Sequence, residues 1–541
     1  MNTGRVKYHE ELKKKTPVNL AELRAIEGLG SKSIMKLYEK LGVKNIADLE
    51  RVIKAGKVRA LEGFGEKSEE KILKGVEFIK KSGGRFMAAY IMPELRKIEA
   101  RLGSISGVQK VIIAGSVRRR KETVGDADFL VASDKPKDVM DFFVSMPEVV
   151  RVHAHGGTKS SVKIASGLDI DLRVVPRESY GAALNYFTGS KYHNVALRQI
   201  AIKKGYKLNE YGLFRNADQR GFTPLDQKIS NGASADKRGK GQRQSVSGQR
   251  RSVWRQIAGR TEEEIYKALG MDYIEPELRE NTGEIDAASR HTLPRLVGYD
   301  DLMGDLQVQT DWTDGFGSIE AMAKAAIARG LEYIVITDHT KRLAMTGGLD
   351  EKRVIEQMAE IDRINSKLHT PHSTFHILKG TECDILKDGT MDLPDSILKR
   401  LDVVGASVHS HFNLSRDDQT RRIKRAMSNP HVDILFHPTG RLINKREAYE
   451  VDMDEIIKTA KATGTVLEIN AFPDRLDLKD EYVRKCVASG VKMAIDSDAH
   501  APAHFDYLEY GVAQARRGWA ERKDIINAWP IEKILNFLKG K

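Results

Sequence analysis

The segment Gly125-Asp126-Ala127-Asp128, running straight into the apolar Phe129-Leu130-Val131, constrains this chain more than any other. Alternate side chains of a strand share a face, so Asp126 and Asp128 lie side by side. Two carboxylates so placed repel unless a cation sits between them, and Mg²⁺ favours oxygen ligands while keeping positions for water and substrate phosphate. A third carboxylate is wanted on a neighbouring strand. Leu168-Asp169-Ile170-Asp171-Leu172-Arg173 offers two candidates, Asp169 and Asp171, again on one face. Upstream, the short apolar strand Val111-Ile112-Ile113-Ala114 leads into Gly115-Ser116 and then Arg118, Arg119 and Arg120. Ser116 and Arg119, at a glycine turn, are placed to hold a triphosphate. A lone Asp-x-Asp is often a solvated strand end. The close succession of Gly-Ser, arginines and Gly-Asp-x-Asp instead points to nucleotidyl transfer, in which two metals about 3.5–4 Å apart activate a hydroxyl and steady the leaving pyrophosphate.

The chain is long enough for several domains, at 541 residues. Its net charge of +13 favours a polyanionic partner, because each Lys or Arg that neutralises a phosphate releases a counterion. Two cysteines, Cys383 and Cys486, supply neither a disulfide framework nor a Cys-x-x-Cys site, and point to a reducing compartment. The polar N-terminus carries no secretory signal, and no uninterrupted apolar run reaches spanning length. The expectation is a cytoplasmic monomer without a membrane partner.

Three regions separate on pattern. Residues 1–82 read as short helices joined by glycine turns, and residues 83–290 as mixed strands and helices. Residues 291–541 alternate apolar strands with helical stretches, the pattern of a (βα) barrel or layered α/β domain. Within the second region, residues from about 216 to 256 are rich in Gly, Ser, Gln, Lys and Arg and too poor in apolar residues to offset ordering entropy. They read as a mobile basic insert or an extra DNA-backbone contact. A capping-box pattern at Thr261-Glu262-Glu263-Glu264 then opens a helix that stops at Gly270.

In the first region, Gly28-Leu29-Gly30-Ser31-Lys32 is echoed by Gly63-Phe64-Gly65-Glu66-Lys67. A Gly-x-Gly turn points its backbone N–H groups outward, and the following helix offers a partially positive N-terminus to an anion. Such a unit grips a phosphate without reading bases. The pair resembles helix-hairpin-helix motifs, with Gly28, Gly30, Lys32, Gly63, Gly65 and Lys67 at the DNA backbone.

In the third region, apolar strands repeatedly end in a polar residue: His339, Glu382, His409, His437, and then Asp496-Ser497-Asp498-Ala499-His500. Strand ends of a barrel converge on one face, where active sites form. Imidazoles with carboxylates suit Zn²⁺, Mn²⁺ or Fe²⁺.

The stretch Ala114–Asp128 resembles the palm motif of family X DNA polymerases. Tyr186-Phe187-Thr188-Gly189-Ser190, with Asn194, Arg198 and Asn209-Glu210-Tyr211-Gly212-Leu213, resembles that family's nucleotide-binding segment. The resemblance implies a DNA-directed DNA polymerase that adds dNTPs to a primer in repair gap filling or base-excision repair, with Mg²⁺ or Mn²⁺. It makes Asp126, Asp128 and Asp171 the metal triad, in preference to Asp169. Gly115, Ser116, Arg119 and Gly125 would hold phosphates. Tyr186, Phe187 and Gly189 would abut the sugar and exclude a ribose 2′-OH, and Asn194 and Arg198 would touch the nascent base pair and template. The implied architecture is multidomain α+β and α/β: a helix-hairpin-helix region, a nucleotidyltransferase palm with a thumb-like subdomain, and a distorted (βα) barrel. The third region is similar to the PHP (polymerase and histidinol phosphatase) domain that follows the polymerase core in bacterial and archaeal members. Where active, that domain is a manganese-dependent 3′→5′ exonuclease. By position its ligands would be Asp314, His339, Glu382, His409, His437, Asp498 and His500, with Mn²⁺ or Zn²⁺.

Two features depart from the family pattern. The first barrel strand normally carries His-x-His, but this chain has Gln307 and Gln309. A neutral amide oxygen is a poor substitute for imidazole, so at least one metal site should be weakened or lost. Against that family pattern the sequence is expected to start near the middle of the usual N-terminal helical region, and no lysine can be assigned a lyase role. Two rival readings are a phosphoesterase or nuclease in which the barrel dominates, and a non-catalytic DNA-binding protein using the hairpins and insert.

Overall fold

The computed structural model describes residues 18, 23, 26, 29–66, 68–70, 72, 73, 76, 84–216, 254–368 and 375–540. Gly28, Lys67 and residues 217–253 of the basic insert lie outside the described residues. The chain divides into two compact units. One comprises Glu94–Lys121 and Asp126–Leu293; the other comprises Met1–Pro93, Glu122–Gly125 and Pro294–Lys541.

The N-terminal helices form around shared apolar residues. Helix Ser31–Leu41 follows Gly30 and closes on Gly42 in the left-handed region; helix Ile46–Lys54 is capped by Asn45, whose side chain accepts from the Asp48 N–H. Leu29, Ile34, Leu37, Val43, Leu49, Val58 and Ile72 bury together. Gly63 has a φ of +83°, which its turn could not give a larger residue without strain. Lys36 donates to the Glu62 carbonyl and so joins the first hairpin to the second.

The strands run in chain order as β1 (Phe86–Met87), β2 (Val108–Ile113), β3 (Thr123–Val124), β4 (Asp126–Ser133), β5 (Val149–His155), β6 (Lys159–Ile164), β7 (Asp169–Val175), β8 (Tyr206–Asn209), β9 (Gly212–Asn216) and β10 (Trp254–Ala258). One unit is built on a five-stranded sheet ordered β2-β4-β7-β6-β5. Its β4 and β7 are parallel, with Asp128 opposite Asp171 and Asp126 opposite Asp169. The alternation that aims the aspartates outward turns Ala127, Phe129, Ile170 and Leu172 into the core. Helix Tyr180–Thr188 lays Ala183 and Leu184 over Ala114, Leu130 and Ala132. Beyond it, β8, β9 and β10 form an antiparallel sheet in which Trp254 pairs with Asn216. Asn216 and Trp254–Gln256, whose composition reads as part of the insert, therefore belong to paired strands. Thr261 caps helix Glu262–Ala268 by accepting from the Glu264 N–H, and Gly270 follows with a φ of +66°.

The other unit is dominated by seven parallel strands in chain order: β11 (Gly304–Val308), β12 (Tyr333–Ile336), β13 (His376–Asp384), β14 (Val403–Ser407), β15 (Ile434–Leu435), β16 (Val466–Asn470) and β17 (Met493–Asp496). The sheet nearly closes: Val308 bridges Ala499, and the Gln309 N–H donates to the Ala499 carbonyl at 2.8 Å. Inside, Leu306, Tyr333, Leu378, Val403, Ile434, Val466 and Ala494 form one apolar cluster. Further along β13, β14, β16 and β17, the same alternating face carries Glu382, Ser407, Glu468 and Asp496, all buried. The barrel thus has an apolar floor and a polar mouth at the C-terminal strand ends. Helices such as Glu351–Leu368, Arg416–Met427 and Met453–Thr463 cover its outer face. In the same unit, β1 and β3 pair as a two-stranded ribbon.

Candidate active site

The aspartate site sits where β4 and β7 run side by side. Asp128 is half-buried and Asp126 exposed. Burial, and then the charges of Asp126 and Asp171, push the Asp128 carboxyl up to about 6, against the opposing pull of Arg173 and Lys159. A cation among the three carboxylates would relieve the repulsion that disfavours the charged form of Asp128. Asp171 accepts from the Ser161 hydroxyl at 2.5 Å and from Lys159 Nζ at 3.1 Å. Asp169 is engaged elsewhere, with His153 Nε2 at 3.0 Å and Lys163 Nζ at 2.9 Å. The Ala114 N–H donates to the Asp128 carbonyl at 2.7 Å, and Gly115 turns at a φ of +62°, so Gly115 and Ser116 come directly beside the aspartates.

The two arginines after that turn reach the Tyr186–Ser190 segment. Arg118 donates to the Thr188 hydroxyl at 2.6 Å and makes a bidentate pair with Glu262 at 2.6 and 3.0 Å. Arg119 donates to the Thr188 carbonyl and, through Nε, to Glu280 at 3.0 Å. Its guanidinium, 14% exposed, therefore braces the turn at Gly189 in this conformation. Arg173 lies over the Phe187 ring at 4.5 Å, and the Tyr186 and Phe187 rings meet edge to face at 5.1 Å. Asn194 donates to the Tyr186 carbonyl at 2.7 Å, and Arg198 Nε donates to the Asn194 carbonyl at 3.3 Å. Tyr186, Asn194, Arg198 and Asn209 line one small pocket. Arg279, which with Glu262 and Thr188 holds this region together, gives no local sequence signal. Arg279 is fully buried and pairs with Glu262 at 2.5 Å.

In the barrel, ligand atoms of Asp314, His339 and His500 fall within 4.8 Å of one another, as do those of His339, Glu382 and His409. Asp314 Oδ1 stands 3.7 Å from Nε2 of both His339 and His500, and it is buried without a hydrogen-bond partner. That group fits a cation. Glu382 is differently occupied. It meets His437 Nε2 at 2.8 Å and His409 Nε2 at 3.1 Å, and accepts from the Ser407 hydroxyl at 2.7 Å and the Gln309 amide at 2.8 Å. Burial opposes its charge, but His339 and His409 hold its carboxyl well below the usual range. Burial likewise opposes charge on His409, yet Glu382 and Asp384 lift it to about 9. Gln307 accepts from Asn470, which also donates to Asp498 at 3.2 Å. Both glutamines thus face the mouth. A register shift between Asp305 and Val308 accompanies this orientation, since Leu306 faces the apolar floor. Glu468, Asn470 and Arg475, the last 3.4 Å from Asp498, complete the rim without a distinctive sequence signal.

An aspartate set on a mixed sheet, a glycine turn beside it and a separate barrel with a histidine-rich mouth define a nucleotidyltransferase joined to a metal-binding domain. Comparison with known proteins narrows this. Residues 183–280 match the DNA polymerase beta thumb family, and residues 20–77 match the SAM-like helix-hairpin-helix tandem family. The chain is 37% identical to the DNA polymerase/3′-5′ exonuclease PolX of Bacillus subtilis, across 100% of its own length and 88% of that protein's. A probable phosphatase of Thermoanaerobacter sp. is 29% identical over 42% of this chain and 89% of its own. One of Caldanaerobacter subterraneus is 33% identical over 34% of this chain and 70% of its own. The chain belongs to the family X DNA polymerases that carry a PHP domain. It is a DNA polymerase that uses divalent metal ions and acts on DNA. Among the described residues, no helix is long and apolar enough to cross a membrane.

Proposed function

We propose that Asp126, Asp128 and Asp171 hold the divalent cations of the polymerase reaction, Mg²⁺ or Mn²⁺, and that the chain adds a deoxynucleotide from a dNTP to a primer 3′ end in repair gap filling. The observation that carries this is the parallel register of β4 and β7, which sets Asp128 opposite Asp171 on adjacent strands. In the reaction the primer 3′ oxygen bonds to the α-phosphorus, the bond to the bridging oxygen breaks, and pyrophosphate leaves. Ions held there would favour loss of the hydroxyl proton and neutralise the departing charge. Asp128 has to be ionised to serve, and Lys159 and Arg173 favour that form. The Gly115–Ser116 turn and Gly125 face the triphosphate. Arg119 reaches it only by releasing Glu280. Tyr186, Phe187 and Gly189 form the wall against the sugar that would exclude a 2′-OH, while Asn194 and Arg198 meet the nascent pair and template. Gly30, Lys32, Gly63 and Gly65 contact the DNA backbone.

For the barrel, the phosphodiester of a DNA 3′ end is the substrate this reading gives, in a 3′→5′ exonuclease reaction. Asp314, His339 and His500 hold one cation, for which Mn²⁺ or Zn²⁺ suits the donors. His409, His437 and Asp498 stand around it, with Glu382 partly committed to Gln309.

Extension of a primer across a single-nucleotide gap, with Mg²⁺ and Mn²⁺ in parallel and dNTP beside rNTP, tests the polymerase assignment. Templated dNTP addition that disappears in Asp128→Ala is expected. Undiminished addition by that variant would remove the assignment.

A further inference from the structure

Helix Lys191–Lys203 opens at Ser190, whose hydroxyl accepts from the His193 N–H at 3.3 Å. Its inner face buries His193, Asn194, Leu197 and Ala201. Arg198 and Ile202, four residues apart, share a stripe on another face. Ile202 is 69% exposed. The chain then turns at Gly205 into β8, where Leu208 is buried opposite Leu213 and Lys207 pairs with Phe214. Phe214 pairs in turn with Gln256 of β10, and Trp254 alternates with Gln256, so Lys207 and Trp254 stand on one face of the sheet. Trp254 is 41% exposed. Arg198, Ile202, Tyr206, Lys207, Asn216 and Trp254 line one open cavity of about 440 Å³. Every one of these residues belongs to the unit that carries Asp126, Asp128 and Asp171.

Scattered apolar residues on a surface are ordinary, but here an indole and an isoleucine open onto one cavity amid positive charge. Residues 191–216 hold six Lys and Arg against the single acid Glu210, and residues 254–260 add Arg255 and Arg260 with no acid. Such a surface suits a polyanion, and the indole suits something with a flat, uncovered ring. Unpaired nucleic acid offers both: phosphates for the cations and a base for the aromatic face. A base within a duplex is already covered on both faces by its neighbours and has no free ring to offer. The cleft is also continuous with the small pocket beside Tyr186, because Arg198 and Leu208 line both. Arg198 donates through Nε to the Asn194 carbonyl at 3.3 Å, which directs it to the junction of the two.

We propose that the cleft between helix Lys191–Lys203 and the β8–β10 sheet binds the unpaired template strand just beyond the templating base. A base stacks on Trp254 against Ile202, and Arg198 and Lys207 hold the phosphates on either side of it. The site reads no sequence, since every base has a face to stack. It favours a template with an unpaired 5′ extension over one that a downstream strand has covered. This rests on the assignment of Arg198 to the template.

The test uses the full chain and two DNA substrates. One is a primer–template with an unpaired 5′ template overhang; the other is a single-nucleotide gap in which a downstream strand pairs that overhang. 2-Aminopurine replaces the template base one position beyond the templating base. On the open substrate the parent should quench its fluorescence, and Trp254→Ala should restore it, because the indole is the stacking partner. Kd for the open substrate should rise roughly tenfold in Trp254→Ala and less in Trp254→Phe, which keeps a ring. Lys207→Ala should also weaken binding and shrink the slope of log K against log salt by about 0.7. All three variants should bind and fill the gap as the parent does. Equal losses on both substrates would overturn the proposal, as would parental quenching and Kd in Trp254→Ala. So would an indole shielded from acrylamide in the DNA-free chain, read as the difference between parent and Trp254→Phe, since the chain itself would then cover the cleft. If Trp254→Ala does not fold, Trp254→Phe and Lys207→Ala carry the decision. Arg198→Ala with parental affinity for both substrates would instead remove the template assignment beneath it.

Discussion

A Cβ built on Gly115 would stand 2.4 Å from Oδ2 of Asp128, and the backbone there has a φ of +62°. Both facts demand glycine: the left-handed turn excludes a side chain on conformational grounds, and the carboxylate excludes it sterically. The turn and the aspartate are therefore one unit. Gly115→Ala is expected to push Asp128 from its place. Gap-filling kcat should drop by roughly a hundredfold, with a smaller effect on DNA affinity measured by fluorescence anisotropy. A variant of near-normal kcat would show that the turn yields and Asp128 does not move.

Asp169 and Asp171 make a sharper pair for comparison, since they share a strand face and differ only in partners. Asp171 stands opposite Asp128, whereas Asp169 is held by His153 and Lys163. Asp171→Asn should cost several kcal/mol of transition-state stabilisation, on the order of a thousandfold in kcat. Asp169→Asn should stay within a few-fold. The two rates, measured side by side at saturating dNTP, decide the third ligand, and a reversed order would transfer the role to Asp169.

That choice marks how far the sequence could be read. Alternation alone puts Asp126 with Asp128 and Asp169 with Asp171, because a strand's period is two. It cannot choose between Asp169 and Asp171, because the choice depends on strand register. The polar ends of the barrel strands were legible for the same reason: apolar runs stopping at His339, Glu382 and His409 can only present those groups at a rim. The braces were not legible. Arg118 meets Glu262 at a sequence separation of 144, and Arg441 meets Glu122 at 319. Nothing local in either segment announces a partner. The basic insert illustrates another limit, since composition blurs its edges while pairing of Trp254 with Asn216 defines where the strands meet.

Glu262 gives a prediction in pH. Burial alone would raise its carboxyl, but Arg279 and then Arg118 outweigh this and hold it at about 2, against an ordinary value of 4.5. The unfolded chain takes up this proton near 4.5 and the folded chain only near 2, so between them the unfolded state binds more protons and stability rises with pH. The contribution, on the order of 3 kcal/mol, is complete above about pH 4.5 and is lost as pH falls toward 2. Glu262→Gln removes it and leaves Arg279 buried without its charge partner, at a cost of about 3–5 kcal/mol. Hydrogen exchange in peptides covering residues 260–290 should therefore accelerate strongly at pH 6 in the variant. The steep acid dependence of the parent between pH 5 and 3 should flatten. A variant that keeps the parent's acid dependence would show that another group governs it.

The last prediction concerns the barrel mouth, where Gln309 donates its amide to Glu382 at 2.8 Å. An N–H pointed at that carboxylate stands where an imidazole lone pair and a cation would otherwise meet it. To act as a ligand the amide would have to turn its oxygen inward, break this bond and still offer only a neutral donor. Gln307 is committed in the opposite sense, its amide oxygen accepting from Asn470 at 3.1 Å. The Asp314, His339 and His500 group needs neither glutamine. The parent barrel should therefore retain about one Mn²⁺ per chain, and Gln307→His/Gln309→His should add at least one more. The count is made by elemental analysis after gel filtration, in an Asp128→Asn/Asp171→Asn background so that the polymerase ions do not contribute. Shortening of a single-stranded primer without dNTP should rise together with the added metal, because the restored imidazoles release Glu382 from its amide. An unchanged metal count would mean that the glutamines are not what limits the site, and that the hydrogen bonds around Glu382 yield to a cation when one is offered.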